Sequence, residues 1–175
     1  MRLVDYSDFL DEFIKNPYKI NMDLLTDEGK MALAYNGNGC IPTDELPDNV
    51  DVIYCQHLGG TIVGFKDGIT LVSFTSRDTP PMWEEKLTEY LKSKGLDARH
   101  EDNDVLVDGY KVSGGFSKWL DSDMQYYGIH ISMNTDLDVI RKICTKPMEK
   151  IPKGLSEYGF TRSDILSALG VEDEE

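Results

Sequence analysis

Lys111 has the best-defined chemical setting in this sequence. It closely follows Asp108-Gly109, a pair that readily supplies the positive backbone angles of a two-residue hairpin turn, and both flanking runs are apolar. Next comes the small-residue stretch Ser113-Gly114-Gly115, whose backbone amides can approach an anionic ligand closely. Because side chains alternate along a strand, we expect Ser113 on the same face as Lys111. The pattern indicates a lysine held rigidly beside an anion-binding loop, and the simpler alternative is a solvent-facing lysine on an ordinary hairpin.

Two other small-residue loops are candidates for ligand contact, Asn36-Gly37-Asn38-Gly39 and Gly59-Gly60-Thr61. The second lies between two predicted strands, so it differs from the strand-to-helix phosphate loop of nucleotide-binding folds. Its glycines alternatively serve only to permit a β-bulge.

The histidines and cysteines do not indicate a metal or a nucleophile. His57, His100 and His130 lack metal-ligand spacing, which argues against a structural metal. His130 falls within an apolar strand, so we expect a packed histidine rather than a base. Cys144 would need a neighbouring base to act as a nucleophile, and the sequence shows none.

Composition limits the class of protein and of partner. The length of 175 residues suits a single domain, 1–175, with a short acidic tail at 171–175. The net charge of -14 argues against a nucleic acid or an anionic membrane as the main partner, because either would be repelled. The three cysteines fit reduced thiols, and the sequence has neither a secretory signal nor a membrane-spanning apolar run, so we expect a cytoplasmic protein.

Periodicity and turn signals predict a sheet with helices around it. Strands are expected at 31–35, 50–54, 62–65, 69–74, on both sides of the Asp108-Gly109 turn, and at 127–133. Helices are expected at 8–16, from Pro80-Pro81 to Gly95, from a Thr135 cap over 137–144, and at 163–169. We expect the strands between 50 and 74 to form an antiparallel meander. The order favours an α+β fold with a central mixed, mainly antiparallel sheet flanked by helices.

Four segments, in the correct order, resemble lipoate–protein ligases. The run from Asn103 to Gly114 resembles their Asn-Asp-apolar-apolar-apolar-Asp-Gly-x-Lys-Ile-Ser-Gly signature. Upstream, Gln56–Val63 resembles their Arg-Arg-x-x-Gly-Gly-Gly-x-Val loop. Downstream, Tyr126–Leu137 resembles a His-His-Gly strand followed by an Asn-x-Asp-Leu helix start. The last match is Lys146–Gly154, which resembles a Lys-Pro…Lys-x-x-x-Lys-Gly segment. The resemblance spans 31–169 and implies the catalytic-domain fold shared by biotin and lipoate ligases, with octanoyltransferases as relatives.

The resemblance implies an enzyme that uses ATP and Mg²⁺ to activate lipoate, or a related small acid, as an acyl-adenylate. The acyl group would then pass to a lysine of a lipoyl-type carrier domain. Lys111 would be the catalytic cation, since an ammonium offsets the repulsion between an acyl carboxylate and a phosphate. The residues implied at the substrate and nucleotide site are Gln56, His57, Gly59, Gly60, Thr61, Asn103, Asp104, Ser113 and Gly114, with Asp104 a candidate magnesium ligand.

The glycine-loop segment departs from the family pattern. Its arginine positions correspond to Cys55 and Gln56, or at best to His57, and Thr61 replaces the third glycine. Each lost charge-assisted contact to phosphate costs about 1.5–3 kcal/mol, although Lys66 is a candidate substitute. The alternative function is therefore a catalytically impaired ligase-fold protein that binds an acyl or nucleotide ligand or a partner protein.

Docking of a carrier domain would need a local basic face, because lipoyl domains are often acidic and the chain is acidic overall. The candidates for such a face are Lys142, Lys146, Lys150 and Lys153. They equally fit a solvated surface.

Overall fold

The computed structural model describes residues 3–5, 31–35, 50–54, 62–65, 67–76, 81–119, 124–143 and 147–171. The strands are β1 (Leu3–Asp5), β2 (Met31–Tyr35), β3 (Val50–Tyr54), β4 (Ile62–Gly64), β5 (Ile69–Ser76), β6 (Ala98–Glu101), β7 (Asp104–Val107), β8 (Tyr110–Trp119) and β9 (Met124–Ile131). The helices are α1 (Trp83–Ser93), α2 (Leu137–Ile143) and α3 (Arg162–Leu169), with a 3₁₀ turn at Leu155–Tyr158. The predicted helix at 8–16 lies outside the described residues.

The strands form two sheets, and antiparallel pairing dominates. A five-stranded sheet has the order β5-β9-β8-β7-β6 and is antiparallel throughout. A four-stranded sheet has the order β1-β3-β2-β4, in which β1 and β2 run parallel to β3 and β4 runs antiparallel to β2. The α+β class with a mixed, mainly antiparallel arrangement is thereby confirmed.

The meander expected between 50 and 74 is wrong. Strand β4 pairs with β2 in one sheet, and β5 pairs with β9 in the other. The bend at 65–68 is present, because Asp67 has a φ of 63° and the Gly68 amide donates to the Phe65 carbonyl over 3.0 Å. A turn signal fixes where the chain bends, whereas the partner of a strand is fixed by the hydrophobic pattern of the whole sheet.

Helix α1 covers the apolar face of the five-stranded sheet. Trp83, Leu87 and Leu91 recur every four residues and are buried, as the helical spacing predicts. The helix ends as predicted before Gly95, whose φ of 86° suits glycine. The core that it shares with the sheet includes Ile69, Leu71, Val105, Val107, Val112, Ile129 and Ile131.

The later helices begin with side-chain caps, one of them at an unexpected residue. The Oδ1 atom of Asp136, rather than Thr135, accepts from the amides of Asp138 and Val139, so the predicted Thr135 cap is wrong. In α3, Thr161 and Asp164 form a reciprocal capping box. Strand β6 and the 3₁₀ turn carry no clear sequence period and were not predicted. No helix in the described part of the chain is both long and apolar enough to cross a membrane.

Candidate functional site around Lys111 and Asp104

The predicted hairpin of Lys111 is confirmed. Asp108 and Gly109 have φ values of 50° and 82°, and Val107 pairs with Tyr110 across the two-residue turn. Strand β8 then carries one extra residue, because Leu106 lies opposite Lys111 while the adjacent Val105 lies opposite Ser113. The resulting β-bulge at Val112 interrupts the alternation of side chains along the strand.

A row of four residues crosses the five-stranded sheet beside Lys111. The cross-strand neighbours are, in order, Asp104, Gly114, His130 and Thr70. Directly opposed residues of antiparallel strands share a face. A Cβ atom placed on Gly114 would lie 3.1 Å from Lys111 Nζ, so the lysine lies over this same face. We call it the site face.

Two lysines hold the carboxylate of Asp104 between them. The Nζ atom of Lys111 lies 3.0 Å from Oδ1, and the Nζ atom of Lys150 lies 3.0 Å from Oδ2. The side chain of Asp104 is only 17% exposed, against 25% for Lys150 and 39% for Lys111. The hydrogen bond to Asp104 raises the pKa of Lys150, outweighing partial desolvation. The cluster therefore combines one shielded carboxylate with two ammonium groups, of which Lys111 is the more accessible.

Lys150 reaches the site because its segment runs alongside β8. The Lys111 amide donates to the Ile151 carbonyl, and the Lys153 amide donates to the Lys111 carbonyl, each over 2.9 Å. The segment then turns at Gly154, where a Cβ atom would overlap the carbonyl of Met133. The backbone pairing holds the segment that contains Lys150 beside Lys111, and the close approach to Met133 requires a glycine at position 154.

His130 lies next to Gly114 on the site face and is neutral at physiological pH. Its Nδ1 atom is 2.8 Å from the Thr70 hydroxyl, and both residues are buried. Burial lowers the pKa of His130 to about 4, and the positive charge of Lys111 acts in the same direction. The predicted packed histidine is confirmed, although it lies within the electrostatic reach of the site lysine.

Ser113 does not share a face with Lys111, contrary to the expectation from alternation. Its cross-strand neighbours are Val105 and Ile131, both fully buried apolar residues. Its own side chain is buried, and Oγ has no hydrogen-bond partner among the described residues. The bulge at Val112 is the reason, because it turns Ser113 towards the core, on what we call the core face.

Glu84 of α1 lies against the core face next to Gly115. A Cβ atom on Gly115 would overlap Glu84 Oε1 and would lie 3.1 Å from the Asn103 carbonyl. The carboxyl is 1% exposed, and within the described part of the chain its Oε2 has no hydrogen-bond partner. Burial raises the pKa of Glu84 to about 7, with a smaller contribution from the negative charge of Glu85. A Cβ atom added at Gly114 would thus point towards Lys111 on the site face, and one added at the adjacent Gly115 would point towards Glu84 on the core face.

Of the residues predicted for the site, Lys111, Asp104 and Gly114 come together. Asn103 is exposed at the start of the hairpin, and its carbonyl accepts from the Gly115 amide over 2.6 Å. Five other predicted site residues lie outside the described part of the chain: Gln56, His57, Gly59, Gly60 and Thr61.

Sequence reasoning missed the position of Lys150, which it placed on a basic docking face. Lys150 binds Asp104 instead, and Lys153 lies over the rings of Tyr110 and Tyr158, 5.0 and 4.6 Å from their centroids. The ordered match of the Lys146–Gly154 segment to the ligases was the one signal that linked it to the Lys111 hairpin.

The donor set fits an acyl or phosphoryl anion better than magnesium. Both oxygens of Asp104 already bind ammonium groups, which disfavours a divalent cation at that carboxylate. Among the described residues, no group of three His, Cys, Asp or Glu side chains is placed to hold a metal ion. Two ammonium groups, by contrast, offer charged N–H donors to a carboxylate or phosphate. The predicted magnesium role of Asp104 does not fit this geometry.

No family model matches the sequence. No curated protein matches it either. Solved structures do match, and among them is the P. falciparum LipL1 protein in complex with lipoate, at 17% identity and a TM-score of 0.66. That similarity covers 97% of this chain and 57% of LipL1, so the chain spans less than two thirds of that protein's length.

Two further solved structures match over nearly the whole chain. A bipartite lipoate protein ligase of Thermoplasma acidophilum, described with its E2 lipoyl domain, matches at 15% identity and a TM-score of 0.66, covering 99% of this chain and 85% of the other. A lipoate-protein ligase A bound with ATP matches at 15% identity and a TM-score of 0.65, covering 96% and 81%. The chain therefore has the fold of the lipoate–protein ligases.

Proposed function

We propose that this protein is a lipoate–protein ligase-like acyl-protein ligase, with Lys111 as its catalytic cation. An oxygen of the acyl carboxylate attacks the α-phosphorus of ATP, and the bond to pyrophosphate breaks to give the acyl-adenylate. The amine of a carrier lysine then attacks the acyl carbonyl carbon, AMP leaves, and the amine loses a proton as the amide forms. The observation that carries the proposal is Lys111, held on a rigid hairpin in a ligase fold with its ammonium beside a shielded carboxylate.

The charge of Lys111 addresses the main difficulty of the first step, in which two anions must approach each other. An ammonium placed between a carboxylate and a phosphate lowers that repulsion most where charge develops in the transition state. Lys111 is 39% exposed, so it is accessible to a ligand while one contact to Asp104 fixes its position. Removing a charge stabiliser of this kind typically costs about 10²–10³ in rate.

The solved structures support the proposed substrates and partner. LipL1 is described with lipoate, ligase A with ATP, and the T. acidophilum ligase with its E2 lipoyl domain. The two ammonium groups near Asp104 suit the anionic parts of lipoate and ATP. The carrier is expected to be a lipoyl-type domain that offers a lysine.

The test is acyl transfer in a defined mixture. The protein is incubated with ATP, magnesium, lipoate and an apo lipoyl domain, and mass spectrometry detects the lipoyl group on the carrier. We expect modification with the wild type and a rate about 100-fold lower with Lys111→Ala. Lys92→Ala is the matched control, since this lysine of α1 is exposed and pairs only weakly with Glu89, at 3.5 Å. Absence of both adenylate and modified carrier with the wild type would contradict the proposal.

One observation favours the alternative of a ligase-fold binding protein impaired in catalysis. The arginine positions of the glycine loop carry Cys55 and Gln56, so cations expected beside the phosphates are missing from that segment. Calorimetry separates the two functions. Binding of lipoate or ATP without any transfer to the carrier supports the binding protein, and measurable transfer excludes it.

A further inference from the structure

We infer that Lys150 is a second anion-binding residue, which binds the phosphate of the acyl-adenylate together with Lys111. The inference rests on the proposed function and extends it, because Lys111 alone was assigned to the substrate there. It concerns a lysine that enters the site from a separate segment, 39 residues further along the chain.

Asp104 places the two ammonium groups within reach of one ligand. They bind its two oxygens, so their Nζ atoms are no farther apart than two 3.0 Å contacts and the width of one carboxylate allow. In an acyl-adenylate the phosphorus and the acyl carbon share one bridging oxygen, so the negatively charged phosphate and the acyl carbonyl oxygen, which gains charge when the amine attacks, are neighbours. Two cations on either side of Asp104 therefore match two adjacent oxygen-rich groups.

Both ammonium groups keep hydrogen-bond donors for a ligand. A lysine ammonium has three N–H donors. Lys111 forms one ion pair, with Asp104, while Lys150 donates one hydrogen bond to Asp104 and faces Glu101 at a longer 3.9 Å. At least one donor on each lysine is thus left over by these contacts. Because Asp104, Glu101 and Asp102 carry negative charge beside these lysines, an anion would be recognised by direct contacts rather than by a broad positive field.

The backbone places Lys150 before any ligand arrives. The pairing of Lys111 with the residues around Pro152, and the close approach of Gly154 to Met133, fix the chain immediately after Lys150. A charge held in advance loses less conformational entropy on binding than a free surface lysine would. Lys150 therefore supplies a fixed cation in a chain whose glycine-loop sequence, with Cys55 and Gln56, lacks the arginines of the family pattern.

A purely structural role is the competing explanation, in which Lys150 only tethers its segment to Asp104. Two substitutions separate the roles. Lys150→Gln keeps a donor for Asp104 and removes the charge, whereas Lys150→Arg keeps both. A tether tolerates glutamine, while a phosphate ligand needs the charge.

The experiment is titration calorimetry with AMP as the probe, at low and at high salt. We expect Lys150→Gln to weaken AMP binding about tenfold or more and to reduce its salt dependence, with Lys150→Arg near the wild type. Thermal unfolding checks that each variant is folded. If Lys150→Gln does not fold, Glu101→Gln tests the same role through an expected increase in AMP affinity. It removes the exposed carboxylate that competes for Lys150, so AMP should bind more tightly.

The outcomes also separate this inference from the proposed function. Wild-type binding of AMP that is unchanged in Lys150→Gln and in Glu101→Gln overturns the role of Lys150, while acyl transfer by the wild type still upholds the ligase. Weakened AMP binding in Lys150→Gln without any acyl transfer supports the anion site and overturns the ligase. If the wild type binds neither AMP nor ATP, both fail.

Discussion

The two faces of the five-stranded sheet stabilise buried polar groups in opposite ways. On the site face, Asp104 lies between two ammonium groups and His130 bonds to Thr70. On the core face, the buried Glu84 carboxyl has an oxygen with no hydrogen-bond partner among the described residues. A buried charge is tolerated when it is paired, and an unpaired one takes up a proton. The buried carboxylate of the site face is therefore paired with cations, whereas the buried carboxyl of the core face holds a proton up to a pKa of about 7.

Replacement of Glu84 by glutamine should produce the largest change in stability. The pKa of Glu84 is about 7 in the folded protein against 4.5 for an ordinary glutamate, so the folded state holds the proton more tightly. The contribution of Glu84 to stability is then fully present below pH 4.5 and is lost as the pH rises towards 7, by about 3 kcal/mol in total. Glu84→Gln should remove this loss and be more stable than the wild type at pH 8. Urea unfolding at pH 5 and pH 8 measures both effects.

Glu89→Gln on the same helix is the control for that prediction, because Glu89 is exposed and should not alter the pH dependence. A stability difference between Glu84→Gln and the wild type that is the same at pH 5 and pH 8 would mean that Glu84 is not protonated in the core. The contrast between the two faces would then be lost.

The adjacent glycines allow each face to be perturbed separately. Gly115→Ala forces its Cβ atom against Glu84 and the Asn103 carbonyl, so we expect a loss of about 1–3 kcal/mol in unfolding free energy. In Gly114→Ala the three atoms nearest to the new Cβ belong to the side chains of Lys111 and Asp104, at 3.0–3.4 Å, and these can move at little cost to stability. The substitution should instead displace Lys111 and lower acyl transfer about tenfold or more. Unfolding curves and transfer rates, measured for both variants, reveal whether stability and activity separate by face.

An equal loss of stability in the two variants, with equal activity, would contradict the assignment of the faces. Gly109→Ala helps to interpret a mixed result. It also replaces a glycine of the same hairpin, but no atom lies within 4 Å of its Cβ position, so it reports backbone strain alone at a φ of 82°.

Local signals in the sequence predicted the hairpin, but they did not predict which of its side chains lie on each face of the sheet. Asp108-Gly109 specifies its turn through backbone preference, and the helix with Trp83, Leu87 and Leu91 follows from its period. The bulge at Val112 depends on how β7 and β8 are paired, and the predicted alternation did not anticipate it. Lys150 reaches Asp104 through pairing between distant segments, which no local pattern encodes. The elements were therefore predictable, whereas the groups that meet across them were not.

The smallest expected effect is electrostatic, and it tests whether His130 and Lys111 lie on the same side of the sheet. Desolvation is the main cause of the low pKa of His130, near 4, and the charge of Lys111 is the second. Lys111→Met should therefore raise this pKa by only a few tenths of a unit, leaving the imidazole neutral at pH 7. In both proteins the histidine costs stability as the pH falls from 6.5 towards 4, because the folded state resists the proton that the unfolded chain accepts.

NMR titration of the His130 ring measures that shift directly, and the core face offers a matched experiment. Glu85 raises the pKa of Glu84 only as a minor cause, so Glu85→Gln should lower it slightly and leave His130 unchanged. Lys111→Met should conversely leave Glu84 unchanged. If each substitution moved both titrations equally, the sheet would not separate the two charge systems. If Lys111→Met shifts only the pKa of His130 and Glu85→Gln shifts only the pKa of Glu84, the charge of the site face can change without altering the protonation of Glu84 in the core.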